Sequence, residues 1–267
     1  MRSEAEIAPN IDAAQELICK AAQEGASFIA TPEMTNLLDI RPGQARSKIR
    51  AEVDDACLKA LSNLAQRLGV TLLIGSLAIA LPEDERFANR SYLIGPDGKI
   101  RARYDKIHMF DVEIGDGQSY RESKAYRAGH ATPVVETPFG RVGMTICYDV
   151  RFPHLYRALG QGGADLITVP AAFTQVTGAA HWHVLTRARA IETGCFVLAP
   201  AQGGQHEDGR RTFGHSLIVS PWGEILAEAE HDAPGYIIAD LDLAQVAEAR
   251  KRIPSLHNDQ AFSLERP

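Results

Sequence analysis

RVGMTICYDVRFP, residues 141–153, is the stretch on which the reading of this chain turns. Apolar residues run up to Cys147; Tyr148, Asp149 and Arg151 then reverse the polarity, and Pro153 follows. That pattern reads as a buried strand handing over sharply to a helix. Such an elbow leaves backbone N–H groups free beside the residue at the turn, where they can hold an oxyanion, and a helix N-terminus favours a thiolate. Taken alone, Cys147 still reads first as a small core residue, since free cysteine is among the most buried residue types.

On either side, strands alternate with helices. TPVVETPFGRVGMTIC reads as a hairpin turning at Phe139-Gly140, and FPHLYRALGQGG as a helix closed by two glycines. ADLITVP, CFVLAPA and GYIIADLD read as strands, HWHVLTRARAIETG and LAQVAEARKRIP as helices, and HSLIVSPWGEILAEAE as a hairpin at PWG. Towards the N-terminus, IDAAQELICKAAQEG has apolar residues at helical spacing, SFIAT is a short buried strand ended by Pro32, and a longer helix is expected around residues 44–68. VTLLIGSLAI is a strand and ANRSYLIGPDGKIRARYDK a hairpin over PDG. Residues 107–133 lack periodicity and are expected to form a long loop, which in a compact domain is usually functional or disordered. Hairpins interspersed with helices imply a mixed-sheet α/β domain, with two sheets packed together under helices.

Composition narrows the setting. The 267 residues suffice for one large domain, and a net charge of −6 argues against nucleic acid or an anionic membrane as the main partner. No apolar run approaches the roughly 20 residues of a membrane span, and MRSEAEIAPN is no signal peptide. The four cysteines form no CxxC pair and no Cys/His cluster with zinc-ligand spacing, so a reducing, cytoplasmic location with free thiols and no metal is expected.

A nucleophilic thiol needs a base and an oxyanion partner. Of the nine histidines, His108, His181, His183 and His215 lie at loop or helix-start positions, but no spacing singles one out. FIATPEMTN places Glu33 directly after a buried strand, and RYDKIHMFD places Lys106 at the end of a hairpin strand. Alone, Glu33 reads as a solvated loop carboxylate and Lys106 as a surface lysine. Three strands thus end in reactive residue types, and spacing does not show whether they converge.

The three frames together, TPEMTN, YDKIHMFD and GMTICYDVRFP in that order, resemble the fingerprint of the nitrilase, or carbon–nitrogen hydrolase, superfamily. The resemblance covers nearly the whole chain. It implies a four-layer αββα sandwich, two mixed sheets flanked by helices, forming a single domain over residues 1–267. It also implies roles: Glu33 as general base, Cys147 as nucleophile forming a thioester, and Lys106 with the backbone N–H of Tyr148 as oxyanion donors. RESK, residues 121–124, matches the frame of the family's second glutamate, which makes Glu122 the residue expected to orient Lys106 and substrate. No cofactor is implied.

Residues 171–223 are similar to the amidase branch that includes deaminated glutathione amidases and omega-amidases; RARAIET, AQGGQH and GHS followed by PWG lie nearer the former. Both imply a small acidic α-keto amide as substrate. Phe173, Thr174, Thr177, His181 and Trp182 follow the strand DLITVP and are expected to line the pocket. Arg151 reads as structural, paired with Asp149 or another acid, and His206 is given no metal role. Relatives often form dimers or larger assemblies, so a homo-oligomer is expected. A scaffold protein that keeps the fold and a Cys–His hydrolase are the rival readings. Two departures stand out. Pro153-His154 replaces the family's Pro-Glu, and the family's apolar first strand has no counterpart before MRSEAEIAPN. Either the start is set too far downstream, which is the expectation, or this chain is less stable than its relatives.

Overall fold

The computed structural model describes residues 1–266 except 40, 42, 115–118 and 231. Residue 267, the expected domain end, and residues 115–118 of the expected long loop therefore lie outside the described residues.

The first half builds one sheet. Helix α1 (Ile7–Gln23) leads into β1 (Phe28–Ala30), and helix α2 (Ala56–Leu68) into the ten-residue β2 (Thr71–Ala80). β3 (Phe87–Ile94) and β4 (Ile100–Asp105) complete the order β1-β2-β3-β4, with β1 parallel to β2 and the rest antiparallel. The expected helix over 44–68 is shorter. Asp55 accepts a hydrogen bond from the Leu58 N–H at 2.7 Å and so caps α2, while Arg50 and Ala51 run beside β2 instead.

A small hairpin, β5 (Asp111–Glu113) with β6 (Ser119–Arg121), occupies part of the stretch expected to be a long loop. The second sheet follows. β7 (Val134–Thr137) and β8 (Gly140–Met144) form a hairpin, helix α3 (Pro153–Gln161) leads to β9 (Leu166–Thr168), and helix α4 (Gln175–Thr193) to β10 (Phe196–Ala199). A side ribbon, β11 (Gly203–Gln205) with β12 (Arg211–Phe213), precedes the hairpin β13 (Leu217–Val219) and β14 (Ile225–Glu228). The strand order is β14-β13-β10-β9-β8-β7, and α5 (Ala244–Arg252) closes the chain's regular structure.

Side-chain alternation assigns the layers. On β2, Leu72 and Ile74 face α1 and α2 with Ile18, Leu61 and Leu64. Leu73, with Leu93 and Tyr104, faces the other way into a core shared with Val142, Met144, Leu166 and Val197 of the second sheet. Two sheets back to back between helices make the αββα sandwich.

GYIIADLD is not a strand. Ile237, Ala239 and Leu241 keep the period-two pattern of a strand, being less exposed than Tyr236, Ile238 and Asp240, yet no ladder pairs them. Alternation selects a face; a strand also needs a hydrogen-bonding neighbour. This segment and β1, an edge strand, line an apolar cavity of about 390 Å³ with Met1, Leu198 and Leu217.

Candidate active site

The turn after β1 presents Glu33, and β2 holds that turn in place. The Thr31 hydroxyl accepts from the Gly75 N–H at 3.0 Å, the Met34 N–H donates to Ser76 Oγ at 2.8 Å, and the Thr35 N–H donates to the Ser76 carbonyl at 2.8 Å. Gly75 is required: a Cβ there would lie 1.9 Å from the Thr31 carbonyl oxygen. Gln202, between β10 and β11, donates to the Glu33 carbonyl at 2.9 Å. Met34 itself has φ 55°, an uncommon conformation for a residue with a side chain. TPEMTN is therefore a cross-linked turn, and Glu33 is 4 % exposed rather than solvated.

Lys106 follows β4 and is also buried, at 2 % exposure. Its Nζ lies 2.9 Å from Glu33 Oε1 and 3.0 and 2.9 Å from the two oxygens of Glu122. Asn89 on β3 joins them, with Nδ2 2.9 Å from Glu33 Oε1 and 3.2 Å from Glu122 Oε1. The Phe110 N–H donates to Glu122 Oε2 at 2.6 Å, so Glu122 reaches Lys106 from a fixed position. A buried ammonium without partners would lose its proton. Here burial pulls Lys106 down, but the charges of Glu122 and Glu33 more than reverse this and keep it charged well above the ordinary lysine value.

Cys147 opens a 3-10 turn, Cys147–Arg151, between β8 and α3. Its φ is 49°, a left-handed conformation that turns the strand abruptly. Its own N–H donates to the Pro170 carbonyl at 2.8 Å, while the next N–H, that of Tyr148, belongs to the first turn, whose donors lack partners within the helix. Asp149 braces the elbow from below. It accepts from the Tyr104 hydroxyl at 2.6 Å and the Ile146 N–H at 2.8 Å, and lies 2.7 Å from His108 Nδ1. Burial pushes the Cys147 thiol well above its ordinary value, Glu33 adds to the rise, and Lys106 opposes it. The group at rest is thus a neutral thiol, its pKa raised by burial and by the charge of Glu33.

These residues form the floor of a cavity of about 750 Å³. Phe173, Thr174 and Thr177 line it; the two threonines lie where α4 begins, and Thr174 caps that helix. His181 and Trp182 do not line it. Trp182 is fully buried against Phe173 and donates to the His215 carbonyl at 2.7 Å, and His181 lies 3.2 Å from Arg151. Trp182, five positions past Thr177, is rotated off the cavity face, whereas His181, four positions on, shares that face but lies a full turn further along α4. Arg151 is not paired with Asp149, whose oxygens are taken by Tyr104, His108 and Ile146; its guanidinium lies over the rings of Tyr148 and Phe173 instead.

Around the mouth stand Arg41, Arg46, Arg121, Lys124 and Arg210, against Asp39 and Asp208. None of these cations was singled out in the sequence, and neither was Asn89. They come from separate loops, and only the fold gathers them.

Residues 1–251 match the family model described as carbon-nitrogen hydrolase. A deaminated glutathione amidase of Synechocystis is 42 % identical over 263 residues, covering 97 % of this chain and 95 % of that protein. Among solved structures, the Caenorhabditis elegans NitFhit protein superposes with a TM-score of 0.90 at 34 % identity, over 97 % of this chain and 63 % of that one. An amidase from Nesterenkonia, described with an acrylamide adduct at its active-site cysteine, superposes with a TM-score of 0.77 at 26 % identity, over 95 % of each chain.

Proposed function

This chain belongs to the carbon–nitrogen hydrolase family, and from that premise we propose a cysteine-dependent amidase that cleaves a small acidic α-keto amide such as deaminated glutathione. One observation carries the reading. The Cys147 thiol, the Glu33 carboxylate and the Lys106 ammonium, 2.9 Å from that carboxylate, line one cavity.

The chemistry runs as follows. Glu33 takes the Cys147 proton as sulfur attacks the amide carbon. Lys106 Nζ and the Tyr148 N–H hold the developing oxyanion. Collapse breaks the C–N bond, and Glu33 returns the proton to the departing nitrogen, leaving a thioester. Glu33 then draws a proton from water, which attacks the thioester carbonyl and releases the acid and the thiol. The pushed-up thiol explains why a base must act in the same step as attack: little free thiolate stands ready at neutral pH. Glu122 and Asn89 keep Lys106 and Glu33 aligned.

Acidic substrate specificity is supported by Arg46 and Lys124 at the cavity mouth, where Arg41, Arg121 and Arg210 are held by Asp39, Glu113 and Asp208, and by the similarity to deaminated glutathione amidases. The second reading, an omega-amidase acting on α-ketoglutaramate, rests on the same floor and needs less of the mouth. Self-association is supported by Val176, Val184 and Ile191, which stand exposed on α4. Among the described residues no helix is long and apolar enough to cross a membrane, and we place the enzyme in the cytoplasm.

The test is a substrate panel with a trapped intermediate. Deaminated glutathione should turn over faster than α-ketoglutaramate, free glutamine or a simple nitrile, with mass spectrometry showing an acyl group on Cys147. Cys147→Ala should lower turnover by about 10⁴-fold or more. Hydrolysis that survives this substitution overturns the mechanism, and equal rates on nitrile and amide overturn the substrate class.

A further inference from the structure

Apart from the catalytic floor, the described residues bring one other set of metal-capable side chains together: His183 on α4, His215 just before β13, and Glu228 at the end of β14. His183 Nε2 and His215 Nδ1 each lie 2.8 Å from the same oxygen, Glu228 Oε1. The three ligand atoms all fall within 4.8 Å of one another. We propose that His183, His215 and Glu228 bind a borderline divalent transition-metal ion, Zn²⁺ foremost, at a site separate from Cys147.

The donor set fits that ion class. Two imidazoles and a carboxylate suit zinc, with ligand bonds of about 2.0–2.2 Å, which sets neighbouring ligand atoms roughly 3.3 Å apart around a tetrahedral ion. Moving Glu228 Oε1 back by about half an ångström opens its two 2.8 Å separations to that spacing, and small imidazole rotations would set the distance between the two histidine nitrogens. The histidines are held ready. The His215 ring stacks on Phe213, with centroids 4.3 Å apart and planes 24° from parallel, and the His183 ring meets the same phenyl edge-on at 5.9 Å. His215 adopts φ 53°, and its carbonyl is fixed by the Trp182 indole N–H at 2.7 Å. A carbonyl-pinned left-handed residue aims its imidazole by backbone shape rather than by rotamer choice alone.

Space for a fourth ligand is also present. His215 and Glu228 border a cavity of about 240 Å³ that also reaches Asp232, enough for water or a small anion on the ion. The ion would join α4 to the β13–β14 hairpin. Because Thr174, which caps α4, lines the catalytic cavity, the link would steady that wall without touching the reacting groups.

The alternative is a purely hydrogen-bonded His–Glu–His array that binds protons only, and the two differ in what they take from solution. The experiment uses the full chain carrying Cys147→Ala, so that no active-site thiol competes, after chelator treatment and dialysis. Titration with Co²⁺ should give one ion per chain, visible d–d bands of a four- or five-coordinate ion, no thiolate charge-transfer band, and loss of the bands on adding Zn²⁺. Zn²⁺ should also raise the unfolding temperature, as a ligand of the folded state alone must. His183→Gln and Glu228→Gln, introduced separately, should each weaken Co²⁺ binding at least tenfold, with metal-free circular dichroism showing that each still folds. Fewer than half an ion per chain in the parent, or binding left intact by both substitutions, overturns the proposal; should either variant fail to fold, stoichiometry and spectrum in the parent decide.

Discussion

Two cavities are lined in succession by one three-residue strand and the turn that follows it. Phe28, Ile29 and Ala30 line the apolar cavity of about 390 Å³; Glu33, three residues on from Ala30, lies on the floor of the charged one of about 750 Å³. In the charged cavity every ionised group on the floor has a partner at hydrogen-bond distance, and the turn carrying Glu33 is tied to β2 and to Gln202. In the apolar cavity the walls are an edge strand and an extended segment that no ladder pairs. Low-dielectric surroundings punish an unpaired charge far more than a loosely packed methyl group, so the first cavity is over-determined and the second is not.

Substitutions at the charged floor should separate the two most sharply. Glu33→Gln keeps the shape and two of the hydrogen-bonding positions but removes the base, and kcat should fall by about 10²–10⁴-fold. Circular dichroism and unfolding temperature check that the loss is chemical. Survival of acylation in a burst experiment would transfer the base role to another group, as a Cys–His mechanism demands. Glu122→Gln should act through Lys106. It removes one of the two carboxylates facing the ammonium, and a loss of up to about 10²-fold in kcat, larger than any change in KM, marks misplacement of the oxyanion donor. A drop confined to KM would make Glu122 a substrate contact instead.

The thiol offers a subtler comparison. An ordinary cysteine titrates near ~8.5. Burial first, and then the charge of Glu33, raise the Cys147 value, so at any given pH its thiolate fraction is below that of an ordinary thiol. Iodoacetamide labelling of Cys147, followed by peptide mass spectrometry, should rise through pH 8–9 without the inflection of a free thiol. An inflection below pH 8 would show that Lys106 outweighs Glu33. The smallest effect is expected in the apolar cavity. Ala239→Leu adds methyl groups to its wall and should raise stability by up to ~1 kcal/mol, or leave it unchanged, with kcat unaltered. A loss of activity there would show that the two cavities are coupled through β1.

Much of this molecule was legible from local pattern. The hairpins at Phe139-Gly140, PDG and PWG, and the elbow at Cys147, follow from turn residues and alternating polarity within a few positions. The resemblance to the carbon–nitrogen hydrolases, carried by TPEMTN, YDKIHMFD and GMTICYDVRFP, turned the two packed sheets suggested by the hairpin pattern into a specific αββα layering. Misreadings came where a neighbour decides. Residues 44–55 fall within the expected helix, yet they form turns, a bridge of Ala51 to the end of β2 and a 3-10 turn before Asp55 caps α2; GYIIADLD alternates like a strand but joins no ladder among the described residues. Trp182 follows the pocket-lining threonines in sequence but turns into the core.

The sequence by itself determined which residue types end the strands, because polarity and turn chemistry act over a few positions. Only the tertiary structure decided what those residues meet. It buried Glu33 and Lys106, which alone read as solvent-facing, and placed Asn89 between Glu33 and Glu122. It gave Asp149 to Tyr104 and His108 rather than to Arg151, and brought His183 and His215 onto one oxygen of Glu228. The physical reason is range. Hydrophobic alternation is written along the chain, whereas the pairing of a buried charge depends on groups delivered by other strands and helices.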